Sequence, residues 1–136
     1  MIIRQIKFRA LQEIQTGSRK TNYASDDFIY SNGYYYDKYN YWFITPNIEN
    51  SALAYSDNKI IVYKTLGQFT GQQYNNGNEI YEGDIGILGE YTCILKFDFL
   101  ECRFWWIDIV SNQWITGRPS DAKIIGNIHQ NPELVR

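Results

Sequence analysis

The sequence has few of the residues from which most catalytic and metal sites are built. Its 136 residues include one histidine, two cysteines and three prolines. A structural zinc site takes four ligands, so His129, Cys93 and Cys102 are too few to form one. The sequence contains neither a G-x-S-x-G nucleophile motif nor a phosphate-binding G-x-x-x-x-G-K-[ST] pattern. We therefore expect no enzyme activity, no cofactor and no metal.

The chain also lacks a strong net charge and a long apolar run. Its formal net charge is −2, which gives no general attraction to nucleic acid or to an anionic membrane. Charged residues follow the first apolar positions too soon for a signal peptide, and no stretch is long enough to span a membrane. We expect a cytoplasmic protein and, because that compartment is reducing, free thiols at Cys93 and Cys102.

Aromatic side chains are abundant, with 12 tyrosines, 7 phenylalanines and 4 tryptophans. Aromatic residues favour strands, and short alternating segments between Gly, Asn and Pro predict a mainly β protein. Residues 16–22 are predicted to form a polar loop. Residues 28–43 are predicted to form an aromatic antiparallel meander with a hairpin turn at Asn32-Gly33 and a second turn at residues 37–40. Its rings would serve either as a stacking platform for sugars or bases, or as an ordinary buried or interface face of a sheet.

Polar and apolar residues alternate over residues 5–10, which predicts a half-buried strand. Ile6 is expected to face inward, and Lys7 and Arg9 outward. These cations belong to a basic N-terminal cluster whose other members are Arg4, Arg19 and Lys20. We interpret the cluster as solvated strand and loop positions, and the alternative is a surface that binds nucleic acid.

Four glycines and three acidic residues lie between Gly67 and Ile85. Asn76-Gly77 is predicted to form a tight turn, and the glycines are expected to adopt conformations closed to residues with a Cβ. Asp84 is expected to cap backbone amides of the turn before it. The alternative is an acidic site for a metal or for acid–base chemistry, formed by Glu79, Glu82 and Asp84. Glu82 and Asp84 have the required spacing, because alternate residues of an extended segment share a face. We interpret the stretch as a structural motif made of Gly67, Gly71, Gly77, Gly83 and Asp84.

Five short predicted strands follow, which suggests a small closed or nearly closed barrel. They cover residues 84–88, 92–97, 103–109, 114–116 and 123–128. In the third of them, the adjacent residues Trp105 and Trp106 point to opposite faces. Because an exposed aromatic beside a cation suits a contact surface, Arg103, Trp105 and Trp106 are predicted as a partner patch. The alternative is that the outward ring packs under the N-terminal lobe.

Three blocks of the sequence match a known family in order and spacing. The blocks are residues 6–10 (I-K-F-R-A), 65–71 (T-L-G-Q-F-T-G) together with 76–85 (N-G-N-E-I-Y-E-G-D-I), and 124–134 (I-I-G-N-I-H-Q-N-P-E-L). In these blocks the chain resembles the YopX family of small phage and prophage proteins. The resemblance implies a C-terminal SH3-like barrel with an N-terminal β-rich lobe packed on it. We place the lobe at residues 1–66, and the central hairpin and barrel at residues 67–136.

The resemblance implies no activity and no catalytic or binding residue, because the family has no established biochemical function. We therefore expect a non-enzymatic phage or prophage accessory protein in the cytoplasm of the bacterial host. It would act through protein contacts, either with itself as a homo-oligomer or with a host or phage protein, and without a membrane partner. The alternative is a nucleic-acid-binding module that uses the basic N-terminal strand and exposed aromatic residues.

Overall fold

The computed structural model describes residues 5–16, 21–36, 42–44 and 59–136. These residues are mainly β, as predicted. In chain order the strands are β1 (Phe8–Thr16), β2 (Thr21–Ser31), β3 (Tyr34–Tyr36), β4 (Trp42–Ile44), β5 (Lys59–Ile60), β6 (Gly67–Gln73), β7 (Glu79–Tyr81), β8 (Asp84–Leu88), β9 (Tyr91–Asp98), β10 (Arg103–Asp108), β11 (Trp114–Ile115) and β12 (Lys123–Asn127). Single 3-10 turns cover Tyr63–Thr65, Pro119–Asp121 and Pro132–Val135. In this part of the chain, no helix has the length and apolar character needed to cross a membrane.

The strands divide between two units, Ile6–Gln68 and a second that contains Phe69–Arg136. In the first unit β1 pairs antiparallel with β2, and β4 pairs with β3 and β5. Strand β6 begins in the first unit, where Gly67 pairs with Arg9 of β1. It continues in the second, where Phe69 pairs with Tyr81 of β7.

Strand β1 is longer than predicted and its pattern is interrupted. It continues to Thr16 because a register shift between Leu11 and Glu13 lets the pairing with β2 resume beyond it. Between the pairs Leu11–Phe28 and Glu13–Ala24 the chain advances two residues in β1 and four in β2, so the extra residues of this irregularity are in β2. Ala10 and Leu11, which are consecutive, are both buried. The predicted loop at residues 16–22 is therefore wrong at its ends, where Thr16 and residues 21–22 belong to strands.

Two side chains near the start of β1 lie opposite to their predicted directions. Ile6, predicted to face inward, is 56% exposed, and Arg9, predicted to face outward, is only 6% exposed. The guanidinium carbon of Arg9 lies 4.3 Å from the ring centroid of Phe28. A cation over an aromatic face is attracted by the ring quadrupole, which explains how the arginine is accommodated away from water. The remaining members of the basic cluster, Arg4, Arg19 and Lys20, lie outside the described residues.

The predicted hairpin at Asn32-Gly33 is wrong, because β2 pairs with β1 and β3 pairs with β4 in a separate sheet. Local side-chain hydrogen bonds stabilise a different turn at this point. The Ser31 hydroxyl donates to the carbonyl of Gly33 at 2.8 Å, and the Asn32 side-chain amide donates to the carbonyl of Ile6 at 3.1 Å. Ser and Asn commonly compete in this way with ladder hydrogen bonds. The turn predicted at residues 37–40 lies outside the described residues.

The strands of the second unit follow the sequence pattern closely. Five of them form one sheet in the order β11-β10-β9-β8-β12, which curls into a half-barrel. Strands β8 to β11 form an antiparallel meander, and β12 returns to pair with β8. This sheet accounts for the five strands predicted between residues 84 and 128. Its closer assignment to the SH3-like class stays a prediction.

The main core lies on the inner face of this sheet. Its buried members are Ile80, Cys93, Leu95, Phe104, Trp106 and Ala122. Trp106 is completely buried, and its Nε1–H donates to the carbonyl of Arg118 at 3.1 Å. A Cβ on Gly86 would lie 2.8 Å from the indole of Trp106 and 2.9 Å from the Cβ of Ala122. The core therefore has room for Trp106 only because residue 86 has no side chain.

Candidate functional site

The glycine-rich central motif has a structural role in the second unit. Gly83 has a φ of 92°, in the left-handed region that favours glycine. Its N–H donates to the carbonyl of Leu95 at 2.8 Å, and its carbonyl accepts from the N–H of Ile128 at 3.0 Å. The turn residue thus ties β9 to the chain that follows β12. Gly71 and Gly77 also have positive φ angles, of 89° and 85°, whereas Gly67 lies buried at the start of β6.

The carboxylate of Asp84 makes the backbone contact that the sequence predicts. It is 3% exposed, and its Oδ2 accepts a hydrogen bond from the N–H of Tyr81 at 2.9 Å. The cap holds the two-residue turn between β7 and β8. Within the described ranges no three His, Cys, Asp or Glu side chains converge as metal ligands would. The geometry around Asp84 and Glu82 therefore gives no support to the acidic-site alternative.

The two adjacent tryptophans of β10 lie on opposite faces of the sheet. Because Trp106 is buried in the core, it contributes nothing to the protein surface, and its assignment to the predicted partner patch is wrong. Alternation along a strand separates the two rings but does not say which one faces the core. Trp105 is on the outer face, where its ring is partly exposed.

The outer face carries a cluster of three side chains, Arg103, Trp105 and Trp114, which we call the tryptophan patch. The guanidinium carbon of Arg103 lies 3.7 Å from the ring centroid of Trp105. The rings of Trp105 and Trp114 meet edge to face, with centroids 5.8 Å apart and planes at 62°. Trp114 is 49% exposed. Sequence reasoning missed Trp114, although its place in the strand paired with β10 was the signal that could have found it.

One hydrogen-bonding group of the tryptophan patch is unsatisfied. The Nε1 atom of Trp105 is buried, and within the described part of the chain it has no hydrogen-bond acceptor. A buried donor without a partner costs about 1–3 kcal/mol. The Nε1–H of Trp106, by contrast, has an acceptor in the carbonyl of Arg118. The indole donor on the inner face of β10 is thus satisfied, whereas the one on the outer face has no acceptor among the described residues.

Arg103 also lines a cleft of about 450 Å³, which we call the arginine cleft. The other residues that line it are Thr70, Gln72, Phe97, Cys102, Phe104, Arg118 and Pro119. Arg118 forms an ion pair with Asp121, with 3.3 Å between Nη2 and Oδ1. None of the residues that line the cleft carries a carboxylate, whereas two carry a guanidinium. The cleft therefore favours negatively charged groups. Its walls come from distant parts of the sequence, which is why no motif predicted it.

Two carboxylates at the ends of the half-barrel sheet are held by hydrogen bonds. Asp108 accepts from the hydroxyl of Ser111 at 2.7 Å and from its N–H at 3.1 Å. The Ser111 hydroxyl bond is the main cause that lowers the pKa of Asp108 below its ordinary value. The N–H of Arg118, 2.8 Å from Oδ2 of Asp121, likewise lowers the pKa of that carboxyl. Hydrogen bonds to the charged form have this effect because they favour the carboxylate over the acid.

The two cysteines are free thiols, as the sequence predicts, and they lie in opposite environments. Cys93 is buried in the core, and this burial, with a smaller effect of the Asp108 charge, raises its pKa to about 11. Cys102 is exposed, in the loop between β9 and β10. A buried thiol with a raised pKa is a poor nucleophile, because the reactive form is the thiolate.

Comparison with known proteins identifies the family. The family model described as YopX protein matches residues 7–136. Because the match covers nearly the whole chain, the chain belongs to the YopX family, and the resemblance seen in the three sequence blocks is confirmed. No curated protein matches the chain.

Proposed function

We propose that this member of the YopX family is a non-enzymatic accessory protein of a phage or prophage, and that it acts through protein contacts, including contacts with a second copy of itself. The observation that carries the proposal is the tryptophan patch. Tryptophan and arginine are the residue types most enriched among interface side chains that dominate binding energy. Here Arg103, Trp105 and Trp114 stand together on one face of a rigid sheet.

The strand register places further apolar side chains on the same face. Trp114 pairs with Ile107, and Ile107 pairs with Ile94, so these residues share the outer face of the sheet, where Ile107 is buried and Ile94 is partly exposed. Lys96 pairs with Trp105 on this face and is exposed. Aromatic and aliphatic residues beside charged ones reproduce the usual anatomy of an interface, an apolar centre with a polar rim.

The constrained titratable groups support a structural rather than a catalytic role. The carboxylates of Asp84 and Asp108 accept hydrogen bonds within their own turns. Burial keeps the Cys93 thiol protonated at neutral pH. A general base or nucleophile needs a reactive atom that can reach a substrate, and these groups are committed to local contacts.

The test is the mass of the full chain in solution, measured by size-exclusion chromatography with light scattering over a range of concentrations. We expect a mass above that of one chain, and we expect Trp114→Ala to shift the distribution toward the monomer. Leu134→Ala is the matched control, because Leu134 is also an exposed apolar side chain, in the 3-10 turn Pro132–Val135. A wild-type chain that stays monomeric at every concentration would contradict the proposed self-association.

A further inference from the structure

The loop between β9 and β10 exposes two large apolar side chains. Phe99 is 84% exposed and Leu100 is 94% exposed. Acidic residues stand on either side of them, Asp98 before and Glu101 after. We call residues 98–101 the hairpin tip. Burying an apolar side chain of this size yields about 1.5–3 kcal/mol, so the free chain leaves that stabilisation unused at two adjacent positions.

Contacts within the loop hold the hairpin tip in a defined shape. The N–H of Leu100 donates to Oδ1 of Asp98 at 2.9 Å. The ring of Phe99 meets the ring of Phe97 edge to face, with centroids 5.4 Å apart. The tip is therefore preorganised, which lowers the entropy lost when it binds.

The arginine cleft has the complementary chemistry. Arg103 stacks one face of its guanidinium on Trp105, and it makes no ion pair with a carboxylate among the described residues. A guanidinium presents a planar fork of N–H donors that matches the two oxygens of a carboxylate. Phe97, Phe104 and Pro119 supply apolar walls. At about 450 Å³ the cleft is many times larger than the roughly 30 Å³ of a water molecule, so it has room for side chains.

We propose that the arginine cleft receives the hairpin tip of a second copy of this chain. This inference rests on the proposed self-association and adds to the tryptophan patch a second contact, which shares Arg103 with it. Two acidic residues enclose two apolar ones in the tip. In the cleft Arg103 stands beside aromatic walls, whereas Arg118 is already paired with Asp121. Docking therefore pairs opposite charges and buries Phe99 and Leu100 in the same step.

Two-fold symmetry is a second reason to expect the hairpin tip of another copy in the cleft. The tip and part of the cleft belong to one hairpin, because Cys102 and Arg103 follow the tip directly. When such a hairpin meets a copy of itself across a two-fold axis, each tip faces the other cleft, and two equal contacts form. A small anion would use the arginines but would leave the apolar pair exposed.

The experiment reverses one charge on each side of the contact in the full chain. Glu101→Arg places a cation of the tip before Arg103 of the cleft, and Arg103→Glu places a carboxylate of the cleft before Glu101 of the tip. We expect each variant alone to associate at least about tenfold more weakly than the wild type, as for close charge pairs at other interfaces. An equimolar mixture is expected to regain wild-type affinity, since each of its two contacts then joins opposite charges. Sedimentation equilibrium gives the dissociation constants of the two variants and of their mixture, which are compared with that of the wild type. Circular dichroism checks that both variants are folded.

A pair of neutral substitutions tests the apolar part of the contact. Leu100→Ser is expected to weaken association by about tenfold or more, because a Leu side chain that is buried on binding contributes over 1.4 kcal/mol. Val110→Ser is the matched control, since Val110 is 89% exposed in the neighbouring loop after β10. It is expected to leave the dissociation constant unchanged.

The outcomes separate this inference from the proposed function. If the wild type associates but neither charge variant weakens it, and the mixture gains nothing, the tip-to-cleft contact is overturned while self-association stands. If the wild type is monomeric, both are overturned. If the monomeric wild type binds inorganic phosphate by calorimetry and Arg103→Glu abolishes that binding, the cleft is assigned to an anion instead of a second copy.

Discussion

The two faces of β10 offer a comparison between residues of the same type on one strand. Trp106, on the inner face, is completely buried, donates its N–H to a carbonyl and sits over a glycine that leaves it room. Trp105, on the outer face, has no acceptor for its buried N–H within the described residues and lies beneath the guanidinium of Arg103. The inner face is thus complete within one chain. The outer face, by contrast, holds a buried donor without an acceptor in the part of the chain that the structure describes.

The largest effect should come from removing the inner ring. Trp106→Ala is expected to lower the free energy of unfolding by about 3–5 kcal/mol, because it leaves a large cavity in the core. Urea denaturation followed by circular dichroism measures the change. If that variant does not fold, Trp106→Phe is a milder substitution, which removes only the indole and its hydrogen bond to the carbonyl of Arg118. If Trp106→Phe lowers the free energy of unfolding no more than Trp105→Phe does, the proposed difference between the two faces is contradicted.

A smaller effect on stability is expected at Asp108, and this effect should depend on pH. Asp108 has a lowered pKa in the folded protein, so its carboxylate stabilises the fold above the ordinary value of 3.8 and loses that contribution as the pH falls. Asp108→Asn should therefore be less stable than the wild type at neutral pH. The difference should shrink as the pH falls toward the acid range. Urea midpoints at about pH 7, pH 5 and pH 3 test this, and a difference independent of pH would contradict it.

The smallest effect on stability should come from the outer ring. Trp105→Phe removes a buried N–H that has no acceptor among the residues described, and relief of that penalty offsets the loss of ring area. We expect a change in the free energy of unfolding of less than about 1 kcal/mol in either direction. The same denaturation experiment measures it, with Trp106→Phe as the matched variant on the other face. A destabilisation equal to that of Trp106→Phe would mean that Trp105 is a core residue.

The strands of the second unit could be predicted because their local signals agree. In β9, for example, Cys93 and Leu95 are buried while Lys96 is exposed. A turn that contains Gly89, whose φ is positive, separates β9 from β8. Alternation and turn chemistry then point to the same strand boundaries. The ends of β10 and β12 differ from the predicted ends by only a single residue.

The first unit was harder to predict because two local irregularities hide its pattern. Ala10 and Leu11 of β1 are consecutive and both buried, and a register shift follows them, so the alternation that predicts the strand stops at that point. The Asn32-Gly33 pair indicated a hairpin, but β2 is an 11-residue strand that pairs with β1. Neither a bulge nor a choice of partner strand is encoded in the spacing of apolar residues alone.

The candidate site could be predicted only in part. The sequence brought Arg103 and Trp105 together because they lie two residues apart on one strand. It could not decide that Trp106 faces inward, since that depends on where Gly86 and Ala122 leave space. It could not predict the arginine cleft either, because Gln72 and Arg118 come close only in the folded chain. Contacts between distant segments are set by topology rather than by local pattern.

The contrast between the two cysteines gives the native chain a specific labelling position. A thiol reagent at neutral pH should leave Cys93 untouched, because its thiol is buried and has a pKa of about 11. Cys102 is exposed at the rim of the arginine cleft, one residue after the hairpin tip. A single spin label or dye can therefore be attached there without any substitution. Spectroscopy on that probe would report occupancy of the cleft directly, in real time and in the unmodified sequence.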